Sequence, residues 1–141
     1  MKRNARARWE GGLKDGAGTL FTESGVLKDQ QYSFRTRFED GKGTNPEELI
    51  GAAHAGCYAM ALSLILGEAG FTADYIDAEA VVELQEVDGA PTITSVALNV
   101  VAKVPEADDE AFLNAAEAAK KDCPVSRLLN AKISLDARLA G

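Results

Sequence analysis

Residues 45–66, which read NPEELIGAAHAGCYAMALSLIL, predict the helix around which the rest of the chain is organised. Asn45 is a favourable N-cap, Pro46 suits the first helical position, and Glu48 can close a capping box. No formally charged side chain follows as far as Leu66. An apolar run without a polar stripe predicts a helix that is buried on nearly all sides.

The same run is close to the shortest length that spans a bilayer as a helix. Its alanine and glycine content, its histidine, and its acidic start without basic or aromatic anchors favour a core helix of a water-soluble protein. Gly70 then predicts a left-handed cap at the end of the helix. We therefore expect no membrane partner.

The composition is typical of one soluble domain covering residues 1–141. The chain is 46% hydrophobic and 26% charged, with a formal net charge of −7. This acidic balance argues against nucleic acid as a partner, because phosphate binding needs a basic face. No apolar signal region follows the basic residues near the N-terminus, so we expect a cytoplasmic protein.

The remaining elements follow from alternation and from helix signals. Alternating segments predict strands over 4–10, 18–22, 32–38, 76–87, 92–104 and 132–139, with Asp88-Gly89 as a hairpin turn, and helices are predicted over 107–121 and 122–129. The order of these elements predicts an α+β fold with mainly antiparallel sheets around the central helix.

The central helix also predicts a second copy of the chain. A helix that is apolar all round needs cover on every side, and six strands supply one good face and some edges. Small side chains such as Gly51, Gly56 and Ala59 would let two such helices approach closely. We therefore expect a homodimer with an interface that resembles a core cut in half.

The chain has two cysteines, Cys57 and Cys123, and one histidine, His54. With so few candidate ligands, we expect no metal site. Cys57 lies in the middle of an apolar helix, and such surroundings raise the pKa of a thiol unless a cation reaches it. Cys123 precedes Pro124 at the start of a short helix, a position that lowers the pKa of a thiol. Spacing alone favours a buried, inert Cys57.

Two further polar side chains of the central helix leave alternatives open. His54 lies one turn before Cys57, so a Cys–His pair is conceivable, although a hydrogen-bonded core histidine is the more common case. Glu47 is ten residues before Cys57, about 15 Å along a helix. If both serve one site, either a cation bridges part of this gap or the glutamate comes from a partner helix.

Four segments carry a resemblance to a known family. These are TESG at 22–25, TRFE at 36–39, GTNPEELIGAAHAGC at 43–57 and DCPVS at 122–126. Together they resemble the OsmC/Ohr family, and its osmotically inducible branch more closely than its organic hydroperoxide resistance branch. The similarity covers essentially the whole chain.

The resemblance implies an intertwined homodimer and a thiol-dependent peroxidase, active in oxidative and osmotic stress defence, that reduces organic hydroperoxides and, less efficiently, hydrogen peroxide. It also implies that Cys57 is the peroxidatic nucleophile and Cys123 the resolving thiol of a redox-active disulfide. Arg37 would stabilise the Cys57 thiolate and Glu47 would orient Arg37, with Arg35 as the alternative on the same face of the predicted strand. No cofactor is implied beyond an external dithiol reductant, which the family suggests is a lipoyl-bearing protein.

Two other functions remain open from the residues. The first is a dimeric module that binds a small ligand and has passive thiols. The second is a thiol–disulfide oxidoreductase, which the absence of a Cys-x-x-Cys motif disfavours. For a peroxidase, the candidate apolar wall around Cys57 consists of Tyr58, Met60, Leu49 and Ile50, which would suit an alkyl or fatty-acyl hydroperoxide.

Overall fold

The N-terminal sheet is an antiparallel meander of three strands, β1 (Ala5–Glu10), β2 (Ala17–Thr22) and β3 (Gln30–Tyr32). The computed structural model describes residues 1–141, in two compact units, Met1–Leu49 and Ile50–Gly141. In the first unit, Gly18 pairs with Trp9 on one side and Tyr32 on the other, whose rings lie 5.5 Å apart. A side chain at Gly18 would collide with both rings, so this close approach requires glycine.

The predicted strand over 32–38 is wrong, because helix α1 (Phe34–Phe38) follows Ser33. Ser33 and Thr36 form a capping box: Ser33 Oγ accepts from the Thr36 N–H at 3.3 Å, and Thr36 Oγ1 accepts from the Ser33 N–H at 2.8 Å. The Phe34 and Phe38 rings, four residues apart, lie 4.9 Å from each other. Residues four apart lie on the same face in both a helix and a strand, so this spacing is compatible with either. The capping box favours the helix.

Helix α2 (Pro46–Glu68) begins where the sequence predicts. Asn45 Oδ1 accepts from the Glu48 N–H at 2.7 Å, as an N-cap should. In the predicted capping box, the Glu48 side chain would accept from the Asn45 backbone N–H. It accepts instead from the Thr44 hydroxyl, at 2.6 Å.

The end of α2 is also as predicted. Gly70 has a φ of 88°, and its N–H donates to the Gly67 carbonyl at 3.0 Å. The Phe71 N–H donates to the Leu66 carbonyl at 2.8 Å. These two bonds form a Schellman motif, which needs a left-handed residue and therefore favours glycine.

Only one stripe of α2 is buried within the single chain. The buried residues recur every three or four positions and are Glu47, Gly51, His54, Tyr58, Leu62 and Leu66. On the other side, Met60 and Leu64 are 77% and 63% exposed. The expected burial on nearly all sides is therefore not met within one chain, which leaves an apolar face open. By length and composition alone, α2 is also long and apolar enough to cross a membrane.

The second unit contains a sheet of β4 (Tyr75–Val87), β5 (Ala90–Lys103) and β6 (Lys132–Leu139), in that order. Strands β4 and β5 form the predicted hairpin, with Asp88 and Gly89 both at positive φ. Strand β6 is parallel to β5, whereas the other three strand pairs are antiparallel, as expected of mainly antiparallel sheets. Helices α3 (Asp109–Asp122) and α4 (Pro124–Leu128) connect these two strands, and such a crossover makes neighbouring strands parallel.

The core of the second unit lies where β5, α2 and α3 meet. Its buried side chains are Tyr58, Leu62 and Leu66 of α2, Val96, Leu98, Val100 and Ala102 of β5, and Phe112, Ala115, Ala116 and Ala119 of α3. Cys123, between α3 and α4, is part of the same cluster and fully buried. The packing that holds the unit together therefore also fixes the position of this thiol.

Candidate active site

The Cys57 thiol lies beside the start of α4. It is partly buried, and the Val125 backbone and the Cys123 side chain lie close enough to influence its pKa. Burial is the largest influence and raises the pKa of Cys57. The Val125 N–H lowers this pKa, and the neighbouring Cys123 raises it further. The predicted effect of the apolar helix on Cys57 is thereby confirmed in direction.

Cys123 is the N-cap of α4, with Pro124 at the first helical position as predicted. Its Sγ accepts from the Ser126 backbone N–H at 3.4 Å and lies 3.1 Å from the Ser126 hydroxyl. Both cysteines are free thiols. The two thiols, 66 positions apart in sequence (123 − 57), are thus neighbours in one unit.

His54 contacts Ser126 and not Cys57. Its Nε2 lies 2.7 Å from Ser126 Oγ, and its side chain is fully buried. Burial lowers the pKa of His54, which favours the neutral imidazole. The interpretation as a hydrogen-bonded core histidine is therefore confirmed, and a Cys57–His54 pair is not formed. Sequence reasoning did not single out Ser126, although its place three residues after an N-cap cysteine was a signal.

Arg37 and Glu47 form an ion pair within the first unit. Arg37 on α1 donates from Nε and Nη2 to the same carboxylate oxygen, Glu47 Oε1, at 3.0 and 2.8 Å. The side chain of Glu47 is 11% exposed and that of Arg37 is 40% exposed. The two residues are in contact, which is what an orienting role of Glu47 requires, while part of the guanidinium stays open.

Arg35 does not share the face of Arg37. Because α1 is a helix and not a strand, residues two apart point in different directions. Arg35 Nε lies 3.6 Å from the Glu39 carboxylate, in an ion pair that is more than half exposed. The expectation that both arginines lie on one face is wrong.

An apolar cavity adjoins Arg37 in the first unit. It has a volume of about 250 Å³ and is lined mainly by aromatic and apolar side chains, among them Trp9, Leu13, Tyr32, Phe34, Phe38 and Pro46. Such a lining with one guanidinium suits a ligand that is apolar with a polar end.

Two of the residues predicted as an apolar wall around Cys57, Tyr58 and Met60, lie in different environments. Tyr58 is fully buried in the core, donates its hydroxyl proton to the Ala116 carbonyl at 3.2 Å, and has a pKa that burial raises. Met60 lies on the exposed face of α2. Tyr58 is therefore a core residue. No group of three or more His, Cys, Asp or Glu side chains in the chain could hold a metal ion.

Comparison with known proteins identifies the family. A model described as OsmC-like protein matches residues 39–138. The peroxiredoxin OsmC of Escherichia coli (strain K12) is 55% identical over 139 residues, which are 99% of this chain and 97% of the relative. The crystal structure of the organic hydroperoxide resistance protein OhrB of Bacillus subtilis has a TM-score of 0.69 at 24% identity and covers 97% of this chain and 98% of its own.

An OsmC-like protein from Vibrio cholerae has a TM-score of 0.77 at 15% identity and covers 98% of this chain and 99% of its own. This likeness supports the fold. The full-length match to the Escherichia coli relative and the family model agree with the sequence resemblance. The chain therefore belongs to the OsmC/Ohr family and is a cysteine-based peroxidase.

Proposed function

We propose that this chain reduces organic hydroperoxides, and hydrogen peroxide less efficiently, with Cys57 as peroxidatic nucleophile and Cys123 as resolving thiol. The observation that carries the proposal is the proximity of the Cys57 and Cys123 side chains in the core of the second unit. A disulfide needs two cysteines whose side chains already lie close together. The relatives named peroxiredoxin OsmC and organic hydroperoxide resistance protein OhrB support this class of substrate.

The chemistry follows from the thiolate. The Cys57 thiolate attacks one oxygen of the hydroperoxide, the O–O bond breaks, and the alcohol leaves after taking up a proton. Cys57 becomes a sulfenic acid. Cys123 then attacks its sulfur, and a Cys57–Cys123 disulfide and water form. An external dithiol reduces this disulfide by exchange, and we propose a lipoyl-bearing protein for that step.

Arg37 is proposed to stabilise the Cys57 thiolate and the charge that develops on the breaking O–O bond. Burial raises the pKa of Cys57, so a nearby cation is what the chemistry requires at neutral pH. The ion pair with Glu47 supports the proposal that Glu47 holds the guanidinium in place. No cofactor is needed, because the thiols supply the electrons.

Replacing Cys123 (Cys123→Ser) is expected to stop catalytic cycling after the first turnover. Without a resolving thiol, Cys57 should remain as the sulfenic acid or be oxidised further. The measurement is intact mass with a sulfenate-trapping reagent after one equivalent of hydroperoxide, followed by dithiol-dependent turnover. Normal dithiol-dependent cycling of this variant would deny Cys123 the resolving role.

We further propose that the chain is a single cytoplasmic domain that forms a homodimer through the open face of α2. The exposed apolar side chains Met60 and Leu64 support an apolar partner surface, and a second copy of the same helix offers one. Leu64→Glu is expected to weaken the dimer more than about 100-fold, because it would bury a carboxylate without a partner.

The association state is measured by sedimentation equilibrium. Val26→Glu is the matched control, since Val26 is 84% exposed and lies outside α2. A monomeric native protein, or equal weakening by both substitutions, would contradict this assignment of the interface.

A further inference from the structure

A buried hydrogen-bonded chain of three side chains ends at the resolving thiol. His54 Nε2 lies 2.7 Å from Ser126 Oγ, which lies 3.1 Å from Cys123 Sγ. His54 and Cys123 are fully buried, and Ser126 is 8% exposed. The chain joins α2 to α4 across 72 residues of sequence. Buried polar groups of this kind are costly unless each is satisfied, so the arrangement calls for an explanation.

The protein surroundings set the direction of these hydrogen bonds. No polar protein atom lies within hydrogen-bonding distance of His54 Nδ1, which is itself buried. If Nδ1 carried the proton, a buried N–H would have no acceptor, and such orphaned donors are rarer in proteins than unpaired acceptors. The proton therefore belongs on Nε2, from which it is donated to Ser126 Oγ.

The Ser126 hydroxyl then directs its own proton to the thiol. With Nε2–H as donor, Ser126 Oγ accepts from His54, and the acceptor within reach of its O–H is Cys123 Sγ. The Ser126 backbone N–H also points to Cys123 Sγ, at 3.4 Å. One serine thus places two donors on the Cys123 sulfur, an arrangement that fits a thiolate better than a thiol.

We propose that His54 and Ser126 are positioning residues for the resolving step, holding Cys123 as a hydrogen-bond acceptor so that its thiolate forms and attacks the Cys57 sulfenic acid. This role of His54 and Ser126 deepens the proposed function and rests on Cys123 being the resolving thiol. It explains a histidine in an otherwise apolar helix.

In the resolving step, the buried Cys123 thiol gives up its proton to the oxygen that leaves Cys57, and the thiolate forms under the two Ser126 donors. The sulfur electron pair of Cys123 forms the S–S bond while the S–O bond of the Cys57 sulfenic acid breaks. The departing hydroxide takes up one proton and leaves as water, so that the thiol and the sulfenic acid yield a disulfide and water.

Three substitutions separate hydrogen-bond donation from packing. Ser126→Ala removes the hydroxyl donor. His54→Gln places an amide N–H at the reach of Nε2 and can still donate to Ser126, whereas His54→Asn reaches only as far as Nδ1. The first readout is the ultraviolet absorbance of the Cys123 thiolate at neutral pH, measured in a Cys57→Ser background. The second is single-turnover kinetics, in which Cys57 oxidation and disulfide formation are timed separately.

We expect Ser126→Ala and His54→Asn to lower the fraction of Cys123 present as thiolate at neutral pH and to slow disulfide formation about 10- to 100-fold relative to Cys57 oxidation. His54→Gln should restore most of both quantities. An unchanged Cys123 thiolate absorbance and an unchanged disulfide rate in Ser126→Ala would overturn the proposal. So would equal defects in His54→Gln and His54→Asn, since the histidine would then act by packing.

Failure of the proposed function has a different signature. If Cys57 in the native protein does not react with hydroperoxide, or its oxidised form never links to Cys123, the single-turnover experiment shows this before any variant is compared. A normal native cycle with unaltered variants would instead reject only the roles of His54 and Ser126.

Discussion

Replacing Cys57 by serine (Cys57→Ser) is expected to lower the rate of hydroperoxide reduction by at least about 10³-fold while the fold persists. In the proposed cycle, the Cys57 thiolate is the nucleophile that attacks the hydroperoxide, and loss of a catalytic nucleophile typically removes most of the rate enhancement. Cys57 is only partly buried, and serine is close to it in size, so we expect a small effect on stability. Stopped-flow consumption of an organic hydroperoxide gives the rate, and circular dichroism checks the fold.

Cys123→Ser is the matched control for this experiment. It removes the other thiol from the same cluster but leaves the peroxidatic nucleophile, so it should keep the first rapid reaction with one equivalent of hydroperoxide. If the Cys57→Ser variant instead consumed hydroperoxide at the native rate, the assignment of Cys57 would be wrong. A fast reaction confined to Cys123 would exchange the two roles.

Replacing Arg37 by alanine (Arg37→Ala) is expected to lower the second-order rate of Cys57 oxidation at neutral pH by about 100- to 1,000-fold, as removal of a single electrostatic donor does in other enzymes. Burial already raises the pKa of Cys57, and without the proposed cation only the smaller effect of the Val125 backbone opposes it. Because the thiolate is the reactive form, the rate of the variant should recover partly as pH rises. The pH profile of single-turnover oxidation measures this.

Arg35→Ala is the natural control, since Arg35 lies on the same short helix but in an exposed ion pair with Glu39. It should leave both the rate and its pH profile close to native. The oxidation rate of Glu47→Gln should lie between the rates of Arg37→Ala and Arg35→Ala, because the Arg37 guanidinium remains but loses its charged partner. Native kinetics in Arg37→Ala, or an equal loss in Arg35→Ala, would remove Arg37 from the proposed mechanism.

Helix α2 and its ends were predictable because their determinants are local. Asn45 accepts a hydrogen bond three residues ahead, and Gly70 supplies the left-handed cap just past the last turn. The structure of residues 32–38 was not predictable in this way. The spacing of the aromatic residues fits both a strand and a helix, and only the Ser33–Thr36 capping box distinguishes the two. Periodicity alone can point to either structure, and here a local capping box favours the helix.

The candidate site shows where prediction from sequence ends. The resemblance pointed to Cys57, Cys123, Arg37 and Glu47. The structure shows an ion pair between Arg37 and Glu47 in the first unit and places Cys57 near Cys123 in the second. The contact between His54 and Ser126 could not be read from the sequence, because it joins residues 72 positions apart. Long-range pairs of this kind depend on how α2 and α4 pack, which no local pattern encodes.

The most direct test of the peroxidase cycle is the intact mass of fully reduced protein, with peptide mapping, before and after one equivalent of an organic hydroperoxide. The proposed cycle predicts rapid loss of two hydrogen atoms, mapped to a Cys57–Cys123 link within one chain. An unchanged mass over many minutes would contradict it and would favour a ligand-binding module with passive thiols.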